Sequence, residues 1–395
     1  MAKKKSSKAK AKSAPASAAP IVSMPNQALS EAIAAARAEL DRCNPTAARD
    51  ILLAAANADP AAANADLLEL LGFTEMDLAT SYHSEVAHSE LGDSVAALIA
   101  NHSEQAEIYL RKAVELGKDR VEPATYLYLG QLCLGAEAAT FYERGIKGLE
   151  DEIEIMVLSG AEDEDEINNL KRKISAALCS MTEIYMTDCC DDPLAEQNCT
   201  EFMARAQTID PSSPDVHSTA ASVLLSKCEP EAATESILRS ISLWSLEEPN
   251  TWPTYPTRLA SAKVLMECGK DEEASGVLET VLKENDEDLE VWYLFAWCYY
   301  RMGGGGCDED MMGDTNAVSI DDKVECWVDA KECLEKLLEL AEKDAEADPG
   351  MLQHASEMLQ EVSLLLAQHP DIVLRVEEGQ RENVGYEDED DEMEM

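Results

Sequence analysis

The chain has twelve cysteines, yet no two are spaced C-x2-C. That removes the zinc-ribbon and dithiol redox signatures. No G-x4-G-K-[ST], G-x-G-x2-G, H-E-x2-H or G-x-S-x-G occurs either. The phosphate-cradling loop, the dinucleotide turn, the zinc-hydrolase helix and the nucleophile elbow are therefore all missing. The six histidines are scattered, and His83 and His88, five apart, do not share a helix face. No apolar run reaches the roughly 18 residues that a membrane helix needs, and no secretory leader is visible. The thiols are thus expected in a reducing cytosolic or nuclear compartment. Cations are scarce, with 32 Lys and Arg against 79 Asp and Glu, for a net charge of −47. Such a surface repels nucleic acid and attracts a strongly basic protein, although part of the acidity also serves solubility. The carboxylates fall in runs, which mark solvated faces rather than acid–base pairs. The expectation is a protein with no cofactor, no metal site and no catalysis.

What the chain does have is a recurring triplet: a small residue, a large apolar one four later, and a small one three after that. It reads Ala48-Leu52-Ala55, Ala106-Leu110-Ala113, Ala138-Tyr142-Gly145 and Cys199-Met203-Ala206. Looser copies follow at Ala233-Ile237-Ser240, Ala274-Leu278-Val281 and Ala330-Leu334-Leu337. Successive copies lie about one 34-residue period apart, or one period plus an insert of roughly 22 to 27 residues. A second pattern precedes several copies. It is clearest at Tyr126-x2-Leu129-Gly130-x2-Cys133 and weaker at Leu68-x2-Leu71-Gly72 and Trp292-x2-Phe295-Ala296-x2-Tyr299. Paired helices at this period are the tetratricopeptide pattern. One pair cannot bury its apolar face alone, so stacking is obligatory. The expected fold is an all-α, right-handed tetratricopeptide superhelix of about seven helical pairs with a capping helix near 350–368.

Three segments frame that array. Residues 1–26 are rich in Lys, Ala, Ser and Pro and are expected to be a disordered basic tail. Its lysines, Lys3, Lys4, Lys5, Lys8, Lys10 and Lys12, read equally as a nuclear import signal or as solvated charge. The array is expected over 27–370, with inserts near 80–100, 150–168 and 303–321. Residues 371–395 are expected to form a disordered acidic tail. Asp192-Pro193 and Ser213-Pro214 read as helix starts. Cys189-Cys190 is placed in a turn.

In such an array the first helix of each pair lines the concave face. Mapping repeat positions two, five, nine and twelve selects Asp66, Glu69, Phe73 and Met76, then Leu127, Gln131 and Leu134. It then selects Glu183 and Met186, and last Glu290, Tyr293, Trp297 and Tyr300. An acidic, aromatic and Met-containing face suits an extended basic segment with apolar anchors. Packing of the same aromatics between repeats is the open alternative. The groove lacks the Lys, Asn and Arg set that grips acidic chaperone tails, since only Arg37 and Lys263 are basic there.

Two blocks carry a closer likeness: Lys173-Ile-Ser-Ala-Ala-Leu-Cys-Ser-Met-Thr-Glu-Ile-Tyr-Met-Thr-Asp188 with Cys-Cys-Asp-Asp-Pro193, and Trp252-Pro-Thr-Tyr-Pro-Thr-Arg258-Leu-Ala-Ser-Ala-Lys263. They resemble the fungal assembly chaperones of large-subunit ribosomal protein L-four, over about 28–395. The resemblance implies a dedicated escort that holds a basic internal loop of that protein in its groove. It also implies shuttling between cytoplasm and nucleus, an import receptor, and release into the pre-60S particle. A monomer is expected. From the net charge and the lack of a long apolar run, no contact with nucleic acid or membrane is expected. A general co-chaperone or histone-type escort for another basic client is the alternative.

Overall fold

The computed structural model describes residues 27–58, 64–86, 92–160, 163–246, 249–306, 319–344, 347–376 and 378. It forms two compact units, one up to Gly148 and one from Leu149. The first unit holds α1 (Gln27–Leu40), α2 (Pro45–Ala58), α3 (Ala65–Val86), α4 (Gly92–Gly117), α5 (Pro123–Leu132) and most of α6 (Gly135–Ser159). The second holds α7 (Glu164–Met186), α8 (Ala195–Ile209), α9 (Pro214–Ser226), α10 (Pro230–Ser242), α11 (Tyr255–Glu267) and α12 (Asp271–Leu282). It ends with α13 (Leu289–Met302), α14 (Ile320–Ala341) and α15 (Pro349–Leu366). Among the described residues there is no strand. The fold is an all-α tetratricopeptide array of seven antiparallel pairs, α1/α2 through α13/α14, with α15 on the last.

Every triplet falls on the second helix of its pair. The large members Leu52, Leu110, Tyr142, Met203, Ile237, Leu278 and Leu334 are at most 5% exposed. Each such burial stabilises by about 1.5–3 kcal/mol. The Leu-Gly pattern of the first helices has a steric cause. A Cβ on Gly72 would sit 2.4 Å from Leu110, and one on Gly130 would sit 2.7 Å from the ring of Tyr142. The glycine is the seat for the large residue of its partner helix.

Polar ties join the pairs. In the first unit the buried Glu75 accepts from Arg49 Nε on α2 at 2.7 Å, and its other oxygen lies 2.5 Å from His102 Nδ1 on α4. In the second, the buried Arg258 guanidinium caps the end of α12 through Thr280 O (2.6 Å), reaches Pro253 O (3.0 Å), and pairs with Glu284. It also lies over the Trp252 ring, which meets Trp244 edge to face. All five tryptophans, Trp244, Trp252, Trp292, Trp297 and Trp327, belong to this second unit.

Several expected boundaries are corrected. The stretch expected to be irregular at 80–100 is helical over 80–86 and 92–100, leaving only 87–91 outside the described residues. No Gly or Pro interrupts 80–86, and Thr80 and Ser81 return their hydroxyls to Met76 O and Leu78 O. The acidic insert at 150–168 is mostly helix. Here α6 extends to Ser159, and α7 begins at Glu164 behind an Asp163 cap that accepts from Glu166 N. Three acids in that first turn, Glu164, Asp165 and Glu166, face the positive end of the helix dipole, so the run starts a helix instead of breaking one. Asp192 does not cap α8. Its Oδ1 accepts from Leu194 N at 2.8 Å within a turn, and α8 starts at Ala195. Ser213 caps α9 as expected, accepting from Val216 N. Residues 371–376, assigned to the acidic tail, are helical. Ile372, Val373 and Val376 pack against the core, and Arg375 pairs with Asp321. The six N-terminal lysines, the segment 307–318 and the tail 379–395 lie outside the described residues.

Candidate functional site

The mapped positions of the first unit divide in character. Asp66 and Gln131 are exposed. Glu69 is 4% exposed, and its Oε1 accepts from Glu122 N at 2.8 Å and from Thr125 Oγ1 at 2.7 Å. Burial pushes its carboxyl up, against the pull of those two bonds. Glu69 is therefore a tie from α3 to the start of α5, a correction to its reading as a groove ligand. Phe73 lies 5.3 Å from the ring of Tyr128, Leu127 fills the gap over Gly145, and Met76 is half-buried.

The second unit contains an open trough. One cavity of about 500 Å³ is walled by Cys179, Glu183 and Met186 of α7, Asp215, Ser218 and Ser222 of α9, and Thr257 and Ala260 of α11. A second, of about 510 Å³, shares Met186 and Ser222 and adds Leu225, Val264 and Glu267. Every wall is a first helix. Successive positions three, four and three residues apart enter it: 176, 179, 183 and 186; then 215, 218, 222 and 225; then 257, 260, 264 and 267. That spacing returns to one helix face. It locates Asp215, Ser222, Leu225, Val264 and Glu267, which the mapping above left unassigned because it skipped the fifth and sixth pairs.

Three carboxylates, Glu183, Asp215 and Glu267, serve this trough, and among the described residues none has a Lys or Arg partner. Glu183 reaches solvent at the mouth, yet burial by the walls pushes its carboxyl up and Asp215 adds to the push. Asp215 is raised in turn, by burial first and then by Asp210. The Cys179 thiol is held up to about 12 by burial, so it contributes bulk and no thiolate. Between Met186, Leu225, Val264 and Pro256 the wall is short Ser, Thr and Ala, which lets a bound backbone approach the helices closely.

The seventh pair presents another surface. Glu290 pairs with Lys263 at 2.7 Å. Tyr293 and Trp297 stack at 6.5 Å, and both meet His354 of α15, with Tyr293 Oη 3.0 Å from His354 Nδ1. Both rings are half-buried, so part of each stays open. Tyr300 is 4% exposed and belongs to the core, not to the groove as expected. Gly305 and Gly306 lie against its ring. Among the described residues no three His, Cys, Asp or Glu converge as metal ligands, and no helix is long and apolar enough to cross a membrane.

No family model matches the chain. A curated protein of Schizosaccharomyces pombe, named probable assembly chaperone of rpl4, is 31% identical over 245 residues, 60% of this chain and 67% of that one. The chain belongs to this family. An Emericella nidulans protein of the same name is 30% identical over 192 residues, and there the match covers 50% of the relative. A solved structure described as Assembly Chaperone of RpL4 (Acl4), residues 1–338, superposes with a TM-score of 0.60 at 26% identity. It covers 70% of this chain and 97% of that one.

Proposed function

We propose that this chain is a dedicated, non-catalytic escort of large-subunit ribosomal protein L-four, holding the protein's basic internal loop against the first-helix face. It shields that loop from aggregation, accompanies L-four from cytoplasm to nucleus as a monomer, and releases it into the pre-60S particle. The N-terminal lysines are read by an import receptor. One observation carries the binding mode: three carboxylates without cation partners share a trough of short side chains, in a chain of net charge −47. An extended basic segment supplies the missing cations, and Met186, Leu225 and Val264 supply apolar contact. The names of the curated relatives support the choice of client.

The test is a salt titration of the complex with purified L-four. Exposed charge pairs weaken as the Debye length shrinks to about 3 Å at 1 M. Affinity should fall steeply and level off at an apolar remainder. Affinity that does not change with salt would overturn the electrostatic reading, and equal affinity for histones would overturn the dedicated one. A chain lacking 1–26 should melt unchanged, bind L-four unchanged and accumulate in the cytoplasm.

A further inference from the structure

A third cavity, of about 740 Å³, opens beside the trough and shares Ala176 and Asp215 with it. Its walls carry mixed charge. Lys171 and Arg172 line it from α7, while Asp210, at the end of α8, and Asp215, in the first turn of α9, line it too. The opposite charges do not pair. Among the described residues, neither Lys171 nor Arg172 has a carboxylate partner. Asp210 instead accepts from the Ser212 hydroxyl at 3.0 Å. Several other cations of this unit do pair. Arg205, Arg258, Lys263 and Arg301 each hold a carboxylate.

A trough meant only to attract positive charge gains nothing from two adjacent cations at one end. They repel the ligand that Glu183, Asp215 and Glu267 attract. They become favourable when the ligand carries an acid where it passes α7. We propose that the trough reads charge order: its occupant is an extended segment in which an acidic residue adjoins a basic run. The acid meets Lys171 and Arg172, and the basic run crosses Asp215, Glu183 and Glu267. This rests on the groove reading above. It adds that selection among basic proteins comes from the repulsion Lys171 and Arg172 exert on segments that are basic throughout.

The experiment pairs the full chain with its K171E/R172E variant. Both are probed with intact L-four and with three synthetic peptides: a Lys/Arg run, the same run preceded by Asp-Glu, and the same run followed by Asp-Glu. A trough driven by total charge would bind L-four more tightly in the variant, which is still more acidic. Charge-order reading gives the opposite sign. The variant should bind L-four about five- to tenfold more weakly, the size expected from losing two exposed charge contacts. One of the two acid-ended peptides should bind the unmodified chain several-fold more tightly than it binds the variant, and the bare run should reverse that preference. Unchanged or tighter binding of L-four by the variant overturns the proposal. So does weaker binding of both acid-ended peptides than of the bare run by the unmodified chain. If the variant melts lower, K171Q/R172Q replaces it under the same criteria. Failure of the groove reading looks different: Glu183→Lys would then leave L-four affinity unchanged.

Discussion

Glu69 in the first unit and Glu183 in the second stand at inward-facing positions of first helices, and their neighbours give them opposite roles. The turn before α5 brings Glu122 N and the Thr125 hydroxyl to Glu69, so its charge is spent inside the repeat stack. Around Glu183 the next first helix offers Asp215, another acid, and among the described residues no Lys or Arg pairs with it. Helical phase fixes the direction in which a side chain leaves its helix. The following pair decides whether that side chain is a structural tie or a free charge.

Lysine substitution tests this contrast most strongly. Glu69→Lys buries an unpaired ammonium and strands two donors, and should cost about 3 kcal/mol or more of stability. Glu183→Lys should leave the unfolding free energy from denaturant melts within about 0.5 kcal/mol while weakening L-four binding about tenfold. Equal midpoints for the two variants would abolish the distinction. Asp271 is a third kind of carboxylate. Arg301 Nε contacts it at 3.2 Å, yet burial prevails and its carboxyl is raised to about 6. Between about pH 4 and 6 the folded chain keeps a proton that the unfolded chain has lost, so stability should decline by about 2 kcal/mol as pH rises through that window. Asp271→Asn should flatten the decline, which urea melts at a series of pH values would detect. Trp297→Ala separates its two contacts. It should cost about 2 kcal/mol of client binding if the open part of the ring is an anchor. A lowered melt with unchanged affinity would assign the ring to α15 packing alone. The smallest effect concerns two turns. Gly269 follows α11 at φ 69°, and Cys228 holds the matching place after α9 at φ 59°. Cys228→Gly should therefore stabilise by about 0.5 kcal/mol, measured by calorimetry.

The seven pairs were legible because the triplets record core contacts that every pair must make, and nearly all of those residues are buried. The helix ends at Val86, Gly92 and Glu164 were not. Polar composition at 80–100 and 150–168 resembles a loop, while hydroxyls bonding back and acids at a helix start keep those residues helical. The groove was half legible. The spacing picked Glu183 and Met186, which line the trough, and would have reached Asp215 and Glu267 had it been carried through the fifth and sixth pairs. It misplaced Glu69 and Tyr300, because burial by the next element leaves no trace in the periodicity of one helix.

The placement of the tryptophans makes the chain a one-sided optical instrument. Light absorbed by indole reports on the unit from Leu149 onward, since no tryptophan precedes it. The unit ending at Gly148 holds no indole of its own, while the far-ultraviolet helical signal counts both. Recorded on one sample, the two traces show whether the halves of this chain melt as one cooperative body or as two, with no added dye or mutation.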